Sequence, residues 1–266
     1  SKNCQVTFTS NDENTEWNTN IQLVQNCDIV FLSVPITSMK AVLAEIFPHL
    51  HGKILLEVCS VKKFIIDEFK RLQLAYPDVK VVFHSLHPMF SQRVKNLEGQ
   101  VFLYNFNYGN KDFFNIWRKW LEKDLAKVYA LDYIKHDKIM GVVQGLNHFN
   151  IFASACTLQL AGNNLGKIKD FSSPPYRIFL IFFSRYVLQD PALYADIQMH
   201  NEFIPEVLGI FKQEVDKLYN IILRKDKQAF IDYVNNTRLY FEENQEDTGI
   251  SNHLIEQLGI YISRHK

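Results

Sequence analysis

The feature that most constrains this chain is a change of rhythm part-way along it. Up to about residue 130, short β-rich runs alternate with stretches of helical spacing; from Tyr133 onward only helical spacing remains. Residues 26–34 (NCDIVFLSV) form a nearly continuous apolar run, as expected of a parallel strand buried on both faces, and Pro35 stops it. Further strands are predicted at 5–9, 53–58, 79–84, 100–104 and 126–130, with helices at 39–50, 64–74 and 112–125. Strand–helix–strand repetition with short connections predicts an α/β parallel sheet. In the second half, Ile139, Val142, Leu146, Phe149, Ala153, Cys156 and Leu160 recur at steps of three and four. That seam is expected to face another helix. Further helices are predicted at 172–188, 191–216 and 226–245, the last with Asp226 as its N-cap. The boundary falls near Leu131–Lys135, giving an α/β domain at 1–133 and a helical domain at 134–266.

Composition removes several functions. The 266 residues carry 29 basic and 29 acidic side chains, so the formal net charge is zero. A neutral chain without basic blocks is not expected to take nucleic acid or an anionic membrane surface as its main partner. No Gly-x-Gly occurs, so the sequence holds neither a Walker A loop nor a dinucleotide fingerprint. Cys4, Cys27, Cys59 and Cys156 form no CxxC pair and read as free, mostly buried thiols of a cytoplasmic protein. The first twenty residues are polar and do not resemble a signal peptide. The most apolar stretches, 142–162 and 178–188, carry amides, His148 and Arg185 within them, which predicts buried helices and no membrane span.

Sites in open α/β sheets lie beyond the carboxyl ends of the strands. Ser33-Val34-Pro35, Cys59-Ser60-Val61-Lys62 and 85–90 (SLHPMF) follow three such strands and should gather at one rim. Ser60 reads either as part of a polar cluster or as a helix N-cap. His87, before Pro88, is expected in an extended or turn geometry on a loop. There it is either a general base, with an ordinary pKa suited to a hydroxyl proton, or a loop histidine without chemistry. His84 and His87 are three apart at a strand end, where their side chains diverge, so no metal site is expected. Gln144 and His148 share a helix face with Met140 and Phe152; they either satisfy backbone groups or line a polar pocket. Arg185, in the run IFLIFFSRYVL, must be paired if buried, with Asp190 or Asp196 or with an anionic substrate.

Taken together, the segments DIVFLSVPI (28–36), CSVK (59–62), LHPMF (86–90), HDKIMGVVQGLNHF (136–149), SSPPYRIFLIFFSRYVLQDPALYADI (172–197) and DKQAFID (226–232) resemble the prephenate dehydrogenase family of tyrosine biosynthesis. The match is best to the branch found fused behind a chorismate mutase domain. The resemblance implies an incomplete Rossmann-type nucleotide-binding domain followed by a helical domain that forms a homodimer. It implies NAD as cofactor, with NADP left open, and prephenate as substrate, oxidatively decarboxylated to 4-hydroxyphenylpyruvate; tyrosine is a possible inhibitor at the same pocket. By the resemblance His87 takes the hydroxyl proton and Ser60 orients that histidine, the hydroxyl and the nicotinamide. Arg185 binds a substrate carboxylate, Gln144 and His148 line the pocket, Arg177 lies two turns before Arg185, and Ser33–Pro35 lie against the cofactor. The sequence begins just before what reads as the family's second strand, so the first strand and glycine loop are not in it. In place of the acidic residue usual after that second strand stands Ser10 or Asn11, with Asp12 and Glu13 beyond. A second reading is therefore a non-catalytic or regulatory relative that binds aromatic acids without the cofactor.

Overall fold

The computed structural model describes residues 5–10, 15, 17–91, 93–162, 164–242 and 246–264. Cys4, Asn11, Asp12, Glu13 and the end of the predicted helix at Gln245 lie outside them. The elements of the first half are α1 (Asn20–Gln25), β1 (Ile29–Leu32), α2 (Met39–Ile46), β2 (Ile54–Glu57), α3 (Lys63–Ala75), β3 (Val82–Pro88), β4 (Val101–Tyr108), α4 (Asp112–Lys123), β5 (Lys127–Ala130) and α5 (Tyr133–Met140). Those of the second are a π-helical stretch at Gly141–Leu146, then α6 (Asn147–Leu160), α7 (Leu165–Phe171), α8 (Pro174–Val187), α9 (Pro191–His200), α10 (Ile204–Leu223), α11 (Lys227–Phe241) and α12 (Glu246–Arg264).

The strands form one sheet in the order β1-β2-β3-β4-β5. β1, β2 and β3 run parallel, as the strand–helix–strand rhythm predicts. β4 is antiparallel to β3, and β5 is parallel to β4. The reversal has a simple cause: the described residues of 89–100 contain no helix, and a parallel return needs a crossover element that they do not supply. Leu55 and Leu56 project to opposite faces. Leu55 joins Leu43, Ile65, Phe69 and Phe83 in the larger core, and Leu56 joins Leu86, Tyr104 and Phe114 on the other side.

Two strand expectations are corrected. Residues 5–9 are not in the sheet: Val6 is 87% exposed, and no described strand offers them a ladder. Among the described residues β1 pairs only with β2, and Phe31 is exposed, against the expectation of burial on both faces.

The chain divides into two compact units. One comprises residues 1–141 with 195–203, and the other 142–194 with 204–266. In the helical unit α6 packs on α8, and α10 on α11. Its predicted seam is corrected too. Ile139, at the end of the sheet unit, and Val142, Phe149, Ala153, Cys156 and Leu160 are all exposed, apart from an edge contact of Phe149 with Phe211. The π-helical turns at Gly141–Leu146 shift the register, so the stripe buried after them runs through His148 and Ile151. Gly145 is required there, because an added Cβ would come within 2.6 Å of the Ile204 side chain. Among the described residues no helix is long and apolar enough to cross a membrane.

Candidate active site

The site in the sheet unit is built on one buried carboxylate. Glu57 ends β2, and its parallel partner Ser85 lies directly opposite in β3. The Ser85 hydroxyl donates to Glu57 Oε1. Lys62 Nζ donates to the same oxygen at 2.8 Å and to the Leu86 carbonyl at 2.6 Å. The Cys59 amide donates to Glu57 Oε2 at 2.8 Å. Glu57, Lys62 and Ser85 are all fully buried, so the ion pair and its hydrogen bonds tie the loop 58–62 to β2 and β3. Burial, reinforced by the Glu57 charge, pushes the Cys59 thiol up to about 12, which keeps it protonated.

His87 lies inside β3 and is only 3% exposed, a correction to its expected place on a loop. Its Nδ1 is 2.8 Å from His136 Nε2 on α5. His136 Nδ1 is 2.7 Å from Asp137 Oδ1. The Asp137 carboxylate also accepts the amides of Lys62 and Lys63, the latter at 2.8 Å, and so caps the N-terminus of α3. The Asp137 carbonyl accepts Asn201 Nδ2 at 2.8 Å. Burial, the Lys62 charge and His136 all push the His87 pKa well below its ordinary value. Burial also lowers His136, against the opposing pull of its hydrogen bond to Asp137.

Ser60 is half-buried in the turn after β2 and is not the N-cap of α3. Lys62 holds that position, and Asp137 supplies the capping oxygens. Ser33 and Pro35 are exposed and Val34 half-buried just past β1. Ser33–Pro35, Ser60 and His87 therefore stand at the carboxyl ends of three neighbouring parallel strands, the rim that the sequence indicated. Glu57, His136 and Asp137 were missed. A charged residue inside the apolar run KILLEV marks Glu57; His136 and Asp137 open the segment HDKIMGVVQGLNHF, but nothing in it gives them a role, because His87 and the Lys62 amide lie 49 and 75 residues away. Among the described residues no group of three His, Cys, Asp or Glu could hold a metal ion.

In the helical unit His148 is buried against the rings of Tyr186 and Tyr194, at centroid distances of 5.4 and 4.9 Å. Burial lowers its pKa to about 4. Among the described residues His148 Nδ1 and Gln144 Oε1 are buried without a hydrogen-bond partner, so these two atoms serve no described backbone group. Arg185 is exposed on α8, which corrects the expectation of a buried helix there and removes the need for a structural partner. Asp190 instead accepts the Ala192 amide, and no described acid forms an ion pair with Arg185. Arg177, two turns earlier, is half-buried.

Two family models match, the prephenate dehydrogenase nucleotide-binding domain over residues 4–129 and the prephenate dehydrogenase dimerization domain over residues 133–236. The chain belongs to the prephenate dehydrogenase family. Among its relatives is a Methanocaldococcus jannaschii protein named "Probable arogenate/prephenate dehydrogenase", 31% identical over 84% of this chain and 50% of its own length. The Haemophilus influenzae T-protein is 28% identical over 87% of this chain and 60% of its own. The chain thus spans about half to three-fifths of the curated relatives it matches. The solved structure of Aquifex aeolicus prephenate dehydrogenase, with hydroxyphenyl propionate and NAD+, superposes with a TM-score of 0.65 at 21% identity. That match covers 85% of this chain and 80% of that one. The Synechocystis arogenate dehydrogenase gives 0.59 at 21% identity, covering 84% and 81%. Both likenesses establish the shared fold.

Proposed function

We propose that the protein carries out the NAD-dependent oxidative decarboxylation of prephenate to 4-hydroxyphenylpyruvate, with His87 as the base. The observation that carries this is a buried histidine of depressed pKa, hydrogen-bonded through Nδ1, at the carboxyl rim of the parallel strands. Such a group is unprotonated at neutral pH, so its lone pair is available, although its lowered pKa corrects the ordinary value expected from the sequence.

Ser33, Val34, Pro35 and Ser60 would lie along the cofactor. They fit it: among the described residues neither serine hydroxyl is engaged by a neighbouring side chain, and Ser33 and Pro35 are open to solvent. NAD supplies the hydride acceptor. His87 takes the proton of the substrate's 4-hydroxyl, which makes C4 a better hydride donor. The ring carboxylate then leaves as CO₂, its bonding pair aromatises the ring, and the proton held by His87 returns to the phenolate oxygen. Arg185, exposed and without an acidic partner among the described residues, would bind a substrate carboxylate. By the family resemblance Gln144 and His148, with buried atoms that have no partner among the described residues, would line the substrate pocket, where tyrosine would compete. Two copies would associate through the helical unit, whose apolar residues are widely exposed.

The full-length gene product, given NAD and prephenate, should form NADH and 4-hydroxyphenylpyruvate. If no NADH forms with prephenate, the proposal fails. If turnover is faster with arogenate, the substrate becomes the amino analogue, consistent with the naming of the archaeal relative.

A further inference from the structure

We propose that Asp137 and His136 are positioning residues that hold His87 in one tautomer, with its proton on Nδ1 and the lone pair of Nε2 left for substrate. The inference rests on the reading of His87 as the base. It follows from the order of donors and acceptors along the chain of contacts. Three donors converge on the Asp137 carboxylate: the fixed amides of Lys62 and Lys63, and the His136 ring through Nδ1 at 2.7 Å. Backbone amides cannot reverse their role, so Asp137 is an acceptor and His136 Nδ1 carries a proton. A neutral His136 then has only a lone pair on Nε2, and His87 Nδ1, 2.8 Å away, must be the donor to it. Free neutral imidazole has no such constraint. The opposite polarity needs an imidazolium at fully buried His136; burial and the Lys62 charge oppose it and outweigh the pull of the Asp137 and Glu57 carboxylates, so the net shift is downward.

The charged and titratable groups that act on His87 are Lys62, from the loop after β2, and His136, from α5; Glu57 and Asp137 in turn bind those two. Among them only the Asp137–His136 pair reaches the His87 ring by hydrogen bonds. The residues that cap α3 and clamp α5 also set the proton on the base, so the tautomer is a product of the tertiary fold.

The test uses the full-length protein with ¹⁵N-labelled histidine, the His87 ring being assigned with His87→Asn. In the wild type the ring nitrogens should report a neutral His87 protonated on Nδ1. Asp137→Asn keeps the shape but leaves one acceptor oxygen for three donors. The fixed amides retain it, the new NH₂ faces His136, and both rings switch tautomer, so that Nε2 of His87 becomes protonated. Turnover should then fall on the order of 10²–10⁴-fold, the worth of a general base, with KM changed only a few-fold. His136→Phe, which leaves the amides on Asp137, should lower kcat by about tenfold or more and give a mixture of His87 tautomers. A wild-type His87 protonated on Nε2, or an Asp137→Asn enzyme with wild-type kcat, overturns the proposal. Absence of NADH formation by the wild type, together with the Nδ1-protonated ring, overturns the function proposed above and upholds the tautomer assignment.

Discussion

The sheet unit and the helical unit handle apolar surface in opposite ways. In the first, Leu43, Leu50, Leu55, Ile65, Ile66, Phe69 and Phe83 are all removed from solvent, and Phe69 stacks on Phe83 at 4.1 Å. In the second, α7, α11 and α12 bury none of their described residues fully, and α8 exposes Phe179, Ile181, Phe182 and Val187. The difference teaches that each unit is suited to a different task. A closed core can support a buried ion pair and a chain of fixed hydrogen bonds, because nothing around them relaxes. A helical layer with uncovered apolar faces is material for association.

Four experiments would break or sharpen that contrast. The largest effect is expected on catalysis. His87→Asn, in the sheet unit, should cut turnover on the order of 10²–10⁴-fold with little change in substrate affinity. Arg185→Ala, in the helical unit, should weaken substrate binding by about 1.5–3 kcal/mol, the worth of hydrogen bonds to a charged group. Similar small effects of both on kcat and KM in steady-state kinetics would show that the units do not divide the work in this way.

Stability comes next. Phe69→Ala should cost about 3–5 kcal/mol, because a close-packed core cannot refill the space. Phe182→Asp should instead leave the sheet unit's unfolding transition in place and shift the protein toward monomer in light scattering. If the proposed dimer is unaffected by Phe182→Asp, α8 lies outside its interface.

A third experiment uses pH. Burial lowers His84, in the sheet unit, and His148, in the helical unit, from 6.5 to about 4 each. Below pH 6.5 the unfolded chain binds protons that the folded form refuses, so stability is full above that pH and falls as the pH drops toward 4. Each site should contribute up to about 3 kcal/mol to that loss. His84→Phe and His148→Phe should each flatten the acid limb in denaturant titrations at several pH values. An unchanged limb would mean that other groups dominate acid unfolding.

The smallest effect concerns thiols. A maleimide should label exposed Cys156 in the native protein, whereas Cys59, buried and held near 12, should react only on unfolding. Rapid native labelling of Cys59 would show that the loop around Glu57 opens.

Much of the site was legible in the order of residues. Ser33–Pro35, Ser60 and His87 were placed at one rim, because residues that follow parallel strands emerge on the same edge. The strand at 5–9 and the packed seam were not legible. Ladder partners and facing helices lie outside any local window, and a π-helical turn moves every later residue off its expected face.

The amino-acid order by itself determined the two regimes of periodicity, the edge at which the rim residues stand, and the family motifs. The tertiary structure alone decided that β4 returns antiparallel, that Arg185 is exposed, and that Asp137 on α5 meets the first turn of α3. The physical reason is range. Side-chain period and turn chemistry act over a few residues. A buried hydrogen bond between His87 and His136 joins positions 49 apart, and only a folded core brings them together.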